Sequence, residues 1–416
     1  MPVDRDADLG TVAAPEEVGL SSERLARIDR LLRAQVDGGE LPGAVALVYR
    51  RGQVAFTAQA GTLGTLPTTP PPPAGARAPM TLDAIFRVYS MTKPMTSVLA
   101  LSLFEDGLFD LGDPVGRFLP DLAGLPVAEA TPDGDYRLVD AHRDMTILDL
   151  LRHTSGIVGG YYGTPWMLKL YERAGIREFD HTEAAHTTSS QDLVDAFAKL
   201  PLAMQPGAHW EYGRSGDIVG RLLEVAGGQP LDVLLAERVL TPLGMSDTGF
   251  HVPPDQAHRI AQPAEPFGAH TVLRDLTARP GFLSGGSGAF STARDYLRFT
   301  RMLLGMGALD GRRVLSRKSV ELMTSDQLGP LYGSGPDYMP RAGYTFGLGV
   351  AVRRALGPSS DVLGSPGDYW WIGRGSTSFF VDPAEDMIGL FLTQRYWRAR
   401  HYQRVFKNAV YQAVID

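Results

Sequence analysis

The chain contains the stretch Phe86-Arg-Val-Tyr-Ser-Met-Thr-Lys-Pro94, which leads into the apolar run Val98-Leu-Ala-Leu-Ser-Leu-Phe104. Apolar residues lie on nearly every side of a helix built from that run, so we predict a buried helix over Met91–Asp106. Ser90 and Lys93 stand three residues apart at its start and therefore share one helix face. A serine hydroxyl and a lysine amine in this arrangement are a candidate nucleophile and base.

Two physical effects favour this chemistry at the start of a buried helix. The N–H groups of the first turn stabilise negative charge that develops on a serine oxygen. Apolar surroundings disfavour an ammonium ion, so a lysine there can accept a proton. Only five of the 40 basic residues are lysines, and an arginine cannot serve as a base because its guanidinium stays protonated. The alternative is that Ser90 caps the helix and Lys93 lies on the surface.

A third candidate is Tyr212, in the loop Trp210-Glu-Tyr-Gly-Arg-Ser-Gly-Asp217 before a predicted helix. A tyrosine held near a lysine ammonium can take the serine proton, so we predict that Tyr212 acts with Lys93. Most of the 15 tyrosines must instead belong to the core or its rim, which is the alternative here. Two residues later, Arg214 is a candidate to bind a substrate carboxylate; an exposed arginine at a helix start is the alternative.

Two further segments are candidate substrate-binding elements. The segment Trp370-Trp-Ile-Gly-Arg-Gly375 precedes a predicted strand, and Gly373 at the strand edge allows a substrate close to the backbone. A backbone N–H there, with that of Ser90, is expected to form an oxyanion hole; an ordinary glycine-rich turn is the alternative. Tyr161 and Tyr162 either line an acyl pocket or belong to a solvent-facing loop.

The pattern of secondary structure places strands near both ends of the chain and helices between them. The predicted strands are Ala44–Tyr49, Gln53–Thr57, Phe346–Val352, Ser376–Val381 and Met387–Thr393. Helices are predicted over Ser21–Gln35, 147–151, 190–200, 215–226, 230–239, 295–304 and 402–414. We expect an α/β fold of the α+β type, in which both chain ends form one antiparallel sheet flanked by helices, with an inserted, mainly helical lobe. The predicted division is 1–88 with 297–416 against 89–296, with the active site at the junction.

The order of Ser90-Met-Thr-Lys93, Tyr212 and Trp371-Ile-Gly373 resembles that of the β-lactamase-like serine hydrolases. This superfamily includes class C β-lactamases, penicillin-binding proteins and family VIII carboxylesterases. Further stretches carry the same resemblance, which extends from about residue 18 to residue 414: Leu150-Leu-Arg-His-Thr-Ser-Gly156, Pro242-Leu-Gly-Met-Ser-Asp-Thr248 and Gly288-Ala-Phe-Ser-Thr-Ala-Arg-Asp295. The resemblance implies a serine β-lactamase-like fold.

The resemblance also implies residue roles. Ser90 would be acylated, Lys93 and Tyr212 would share the proton transfers, and the N–H groups of Ser90 and Arg374 would form the oxyanion hole. The chain departs from the lactamase pattern at two places. Tyr212 is followed by Gly213 and Arg214 instead of the Tyr-x-Asn of lactamases, and Trp371-Ile-Gly373 stands in place of Lys-Thr-Gly. Both missing groups recognise a β-lactam, and a Trp-x-Gly at the third position is similar to family VIII esterases.

We therefore predict hydrolysis of small carboxylic esters through an acyl-enzyme, without a cofactor or metal. Amide or D-peptide hydrolysis, acyl transfer and weak β-lactam hydrolysis are alternatives on the same residues, and an inactive binding scaffold is a third class. His181 and His186 are five apart, not the four of a zinc-binding H-E-x-x-H helix, and no G-x-S-x-G elbow occurs.

Composition excludes several other functions. The net charge of −7, with no Lys/Arg-rich run, argues against nucleic-acid or membrane-surface partners. The absence of cysteine excludes disulfides and thiolate chemistry. The polar, acidic N-terminus lacks a signal-peptide pattern, so the expected location is the cytoplasm. The expected partner is a small-molecule ester, and the sequence predicts no particular oligomeric state.

Overall fold

The computed structural model of the chain describes residues 9, 12–64, 78–159, 165–176, 182–263, 273–336, 338–355 and 361–416. The helices are α1 (Ser22–Asp37), α2 (Thr92–Glu105), α3 (Ile147–Leu151), α4 (Pro165–Arg173), α5 (Ala184–Thr187), α6 (Ser190–Phe197), α7 (Ser215–Gly227), α8 (Leu231–Leu235), α9 (Thr241–Leu243), α10 (Ala293–Leu304), α11 (Arg317–Met323) and α12 (Ala399–Tyr411). The strands are β1 (Gly43–Arg50), β2 (Gln53–Gly61), β3 (Phe86–Arg87), β4 (Val127–Ala130), β5 (Tyr136–Val139), β6 (Phe290–Ser291), β7 (Ala308–Leu309), β8 (Arg312–Arg313), β9 (Tyr344–Phe346), β10 (Ala351–Arg353), β11 (Tyr369–Ile372), β12 (Ser378–Asp382) and β13 (Met387–Thr393).

The main sheet joins the two ends of the chain. Its seven strands lie in the order β2-β1-β13-β12-β11-β10-β9, and every neighbouring pair is antiparallel. The last long strand, β13, pairs with β1 from Ala44↔Thr393 to Arg50↔Met387. The predicted fold class, an antiparallel sheet built from both ends with helices between, is confirmed.

Helices cover both faces of this sheet. Successive residues of a strand point to opposite faces. On β12, the Phe379 ring lies 5.3 Å from that of Tyr296 on α10, whereas the Phe380 ring lies 6.3 Å from that of Phe406 on α12. Helices α10 and α12 therefore lie on opposite faces, which explains why every residue of β12 and β13 is buried.

Helix α2 is the buried helix that the sequence predicts. All residues from Thr92 to Leu103 are buried, including its polar ones. It packs against α7 and α8 in the helical part of the molecule. Ser90 precedes it in a short 3-10 turn, Tyr89–Met91, which runs into α2 without a break. This continuity attaches the candidate nucleophile to a rigid element.

One run that was predicted as a single strand forms parts of two strands in the structure. The run Phe346–Val352 forms the end of β9 and the start of β10, which pair as an antiparallel hairpin. The turn is closed by a hydrogen bond from Gly347 N to Val350 O of 2.8 Å. Apolar composition alone does not distinguish a strand from two short strands around a glycine turn.

The predicted division of the chain stays a prediction. Its boundary between residues 296 and 297 falls inside α10, which is a continuous helix from Ala293 to Leu304. Among the described helices, none combines the length and apolar composition that crossing a bilayer requires.

Candidate active site

Ser90 lies at a point where the backbone is strained and firmly held. The preceding residue, Tyr89, has a φ of +47°, an unusual conformation for a bulky side chain. Its hydroxyl is 2.8 Å from the Tyr396 hydroxyl, and its carbonyl accepts a 2.6 Å hydrogen bond from Thr92 Oγ1. Strain of this kind persists only where the surroundings over-determine it, and it is typical of functional sites.

The Lys93 side chain is buried and points at Ser90. Its Nζ lies 3.5 Å from Ser90 Oγ and donates a 2.8 Å hydrogen bond to the carbonyl oxygen of Gly286. It also sits 4.7 Å from the centre of the Tyr212 ring. The structure thus brings the three residues of the predicted catalytic set together, and Lys93 is not the surface lysine of the alternative.

Close packing of two loops positions Tyr212. Its carbonyl oxygen accepts a 3.2 Å hydrogen bond from Gly159 N, and a side chain at residue 213 would clash with the backbone of Val158, so Gly213 is required there. The Tyr212 hydroxyl oxygen is buried and has no hydrogen-bond partner within the described part of the chain. A buried hydroxyl without a partner favours a role in binding or proton transfer.

His153 contacts the site. Its ring centre lies 4.8 Å from that of Tyr212, its φ is +60°, and its side chain is almost completely buried. Burial, and to a lesser degree the charge of Lys93, lowers the pKa of His153 well below its usual range. The imidazole is therefore neutral and acts as a packing partner for Tyr212. In the sequence, the only indication of a role for His153 was its position in the stretch from Leu150 to Gly156 that carries the family resemblance.

A buried carboxylate, Asp217, supports Lys93 indirectly. Asp217 accepts a 3.0 Å hydrogen bond from Gly286 N and another from Ser284 Oγ. The same Gly286 peptide presents its carbonyl oxygen to Lys93 Nζ. The carboxylate thereby holds the peptide that orients the amine. Sequence reasoning missed this residue, because Gly286 and Lys93 are 193 positions apart.

Arg214 lies at the start of α7, beside the candidate catalytic residues. It is buried, so the exposed arginine of the alternative is not observed. Its guanidinium lies 3.3 Å from the Asp217 carboxylate and donates a 3.1 Å hydrogen bond to Ile176 O. These contacts engage the cation within the protein, and the spacing of three residues on the first turn of α7 is the local signal for the pair.

We expect Arg214→Ala to destabilise the fold without changing substrate charge preference. Removing the guanidinium leaves Asp217 buried with one partner fewer, at a cost of about 2 kcal/mol in the free energy of unfolding. KM for neutral and anionic esters should change by the same factor. The matched control is Arg238→Ala, since Arg238 pairs with Asp106 on the surface and such pairs contribute less than about 1 kcal/mol. Thermal unfolding and KM for both esters are measured; a selective loss for the anionic ester would restore the carboxylate-binding role.

The end of β11 forms another wall of the site. A side chain at position 373 would collide with Val88 O and Thr377 Oγ1, so Gly373 is needed for β11 to approach the Ser90 turn. Trp371 is completely buried, with its ring 5.5 Å from that of Tyr212. Its indole Nε1 has no hydrogen-bond partner among the described residues. Trp371 therefore supports the Tyr212 ring from within the wall of the site.

A pocket of about 450 Å³ opens onto these residues, a volume typical of small-molecule sites. Its lining includes all the described residues of the predicted site: Ser90, Lys93, Tyr212, Arg214, Trp371, Gly373 and Arg374. Tyr161 and Tyr162 lie outside the described residues. Within the described ranges, no group of three His, Asp or Glu side chains is arranged to hold a metal ion.

Comparison with known proteins places the chain in a family. The Beta-lactamase family model matches residues 28–409. Esterase EstB from Burkholderia gladioli is 31% identical, over 88% of this chain and 90% of its own. Monacolin J acid methylbutanoyltransferase from Aspergillus terreus is 28% identical, over 95% of this chain and 97% of its own. The solved structure of the LovD6 mutant of simvastatin synthase from Aspergillus terreus superposes with a TM-score of 0.75 at 26% identity, covering 94% of this chain and 95% of that one. The chain therefore belongs to the Beta-lactamase family.

Proposed function

We propose that this protein is a carboxylesterase that cleaves small esters through an acyl-enzyme on Ser90. The observation that carries the proposal is the cluster in which Lys93 Nζ lies 3.5 Å from Ser90 Oγ and 4.7 Å from the Tyr212 ring centre. The pocket of about 450 Å³ around this cluster is large enough for a small ester. The esterase relative supports the same chemistry.

The first half of the reaction acylates the serine. Ser90 Oγ attacks the ester carbonyl while its proton passes to the Lys93–Tyr212 pair. The N–H groups of Ser90 and Arg374 stabilise the oxyanion that forms. When the tetrahedral intermediate collapses, the bond to the alcohol breaks, and the pair returns the proton to the leaving oxygen.

Water completes the cycle. The pair takes a proton from a water molecule, whose oxygen attacks the acyl carbonyl. The bond to Ser90 Oγ then breaks, the carboxylic acid departs, and the proton returns to the serine. Each proton removed is restored within the cycle, so the residues of the site suffice for the reaction.

Preference for esters over β-lactams is expected to be about two decades or more in kcat/KM. The neutral, buried Trp371 stands where lactamases of this type carry a lysine, so a lactam carboxylate loses a charge-assisted hydrogen bond of about 1.5–3 kcal/mol. Gly213-Arg214 replaces the segment that supplies an asparagine amide, and the Arg214 cation is engaged with Asp217. At about 1.4 kcal/mol per decade, the two losses together amount to the stated preference.

The experiment compares p-nitrophenyl butyrate with nitrocefin under identical conditions. A higher kcat/KM for the butyrate supports the esterase proposal. A value for nitrocefin equal to or above that for the butyrate overturns it and makes β-lactam hydrolysis the primary activity. Labelling by a fluorophosphonate separates both activities from an inactive scaffold, which would not react.

Acyl transfer is the second candidate, and the methylbutanoyltransferase relative that spans nearly the whole chain favours it. An acyl-enzyme on Ser90 can be attacked by an alcohol in place of water, which yields a new ester by the same steps. We expect the butyryl group to partition toward a butyryl ester when a primary alcohol is added at increasing concentration. The ratio of butyrate to the new ester is measured by chromatography. A ratio that does not respond to the alcohol excludes transfer.

A further inference from the structure

The outer part of the active-site pocket is positively charged although the chain is acidic. The net charge is −7, yet Arg374, Arg398 and Arg400 all line the pocket. Among the described lining residues the carboxylate is Asp217, which is buried and lies 3.3 Å from the Arg214 guanidinium. The balance of charge at this pocket is therefore opposite to that of the whole protein.

Two of these arginines, at the start of α12, have no counter-charge among the described residues. Arg398 and Arg400 are exposed, and in the described part of the chain neither forms an ion pair. Their neighbour Arg404, on the same helix but outside the pocket, lies 3.3 Å from Asp361. We call Arg398 and Arg400 the arginine rim.

An aromatic surface lies beside the arginine rim. Trp397 also lines the pocket and is 63% exposed, while the Arg374 guanidinium lies 5.7 Å from the Trp397 ring centre. Large exposed aromatic side chains in a pocket favour contact with an apolar ligand group. The mouth of the pocket thus offers an apolar surface next to cationic donors.

From this arrangement, and resting on the proposed esterase function, we infer that the substrates are esters that carry an anionic group, a carboxylate or a phosphate, on the part of the molecule that lies at the arginine rim. Guanidinium groups match both anions in geometry through paired N–H donors. Lys93 is buried and Ser90 is partly buried, whereas the arginine rim is exposed, so we place the anion away from the scissile carbonyl. Arg214, engaged with Asp217, is not the recognition residue.

The test uses three esters that share a butyryl group and a phenolic leaving group. Methyl 4-butyryloxybenzoate is neutral, 4-butyryloxybenzoate carries a carboxylate, and 4-butyryloxyphenyl phosphate carries a phosphate. For the unmodified enzyme we expect kcat/KM for at least one anionic ester to exceed that for the neutral ester about tenfold at low salt, and the preference to shrink as salt is added. Comparison of the carboxylate ester with the phosphate ester shows which of the two anionic groups is preferred.

The double variant Arg398→Gln/Arg400→Gln is expected to lose the tenfold preference, because KM rises more for the anionic esters than for the neutral ester. Arg404→Gln is the matched control on the same helix and should keep the preference. An equal change for neutral and anionic esters in the double variant, or an unmodified enzyme that favours the neutral ester, overturns the inference.

A binding measurement separates failure of this inference from failure of the proposed function. In a Ser90→Ala background, titration calorimetry with benzoate and with phenyl phosphate should show that at least one binds about tenfold more weakly when Arg398 and Arg400 are glutamine. If the neutral ester is not hydrolysed but this difference is found, the esterase proposal fails and the anion site stands. If the neutral ester is hydrolysed and no difference is found, only the anion site fails.

Discussion

Ser90→Ala is expected to lower kcat for ester hydrolysis by at least about three decades, or about 4 kcal/mol of activation free energy. Without the hydroxyl no acyl-enzyme forms. Lys93, Tyr212 and the oxyanion hole remain, but they can only assist direct attack by water. The fold should be unaffected, because Ser90 lies at the pocket and contributes one small polar group. Burst and steady-state kinetics with p-nitrophenyl butyrate measure the loss, and thermal unfolding confirms that the variant is folded.

Ser287→Ala is the matched control for this experiment. Ser287 lines the same pocket, and its hydroxyl lies 3.2 Å from that of Ser284. We expect its kcat to stay within a fewfold of the unmodified enzyme. Peptide mass spectrometry after fluorophosphonate labelling gives the direct assignment. An adduct on Ser287, or on any serine other than Ser90, would falsify the assignment of the nucleophile.

Lys93→Arg is expected to be nearly as inactive as Lys93→Ala. A guanidinium retains positive charge but cannot exchange its proton at any pH the protein tolerates. If Lys93 served only as a charge beside Tyr212, arginine would partly replace it.

The controls address the tight packing around Lys93. The Lys93 side chain packs so closely against Gly216 that a methyl group added at residue 216 would contact it. Thermal unfolding of Lys93→Arg is therefore measured together with its kinetics. Lys318→Arg, at an exposed site, should leave both properties unchanged. A folded arginine variant that retains more than about a tenth of the activity would show that charge, and not proton exchange, is the role of Lys93.

The local part of the site could be predicted from the sequence because it depends on spacing along one element. Ser90 and Lys93 are three residues apart on a helix, and helical geometry places their side chains on one face whatever surrounds them. The all-round apolar character of the segment after Lys93 likewise predicts burial, and α2 is buried. The same reasoning applied to Arg214 and Asp217 would have predicted their pairing.

Other features arise from contacts between segments far apart in the chain. The Gly286 carbonyl that receives Lys93 comes from a loop 193 positions away, and His153 meets Tyr212 only because the loops at 153–159 and 210–213 pack together. Arg398 and Arg400 follow β13, and their position at the pocket depends on where α12 begins. Periodicity carries no information about such contacts, because they depend on the shape complementarity of the whole core.

The sequence by itself determined the class of fold and which residues are candidates for catalysis, since helix spacing and the strands at both ends are local properties of the chain. Only the tertiary structure decided which charges are available to a ligand. Burial engages Arg214 with Asp217, whereas the start of α12 leaves Arg398 and Arg400 exposed at the pocket. The reason is physical: a buried cation needs a partner within the protein, while an exposed one is hydrated and remains able to bind an anion.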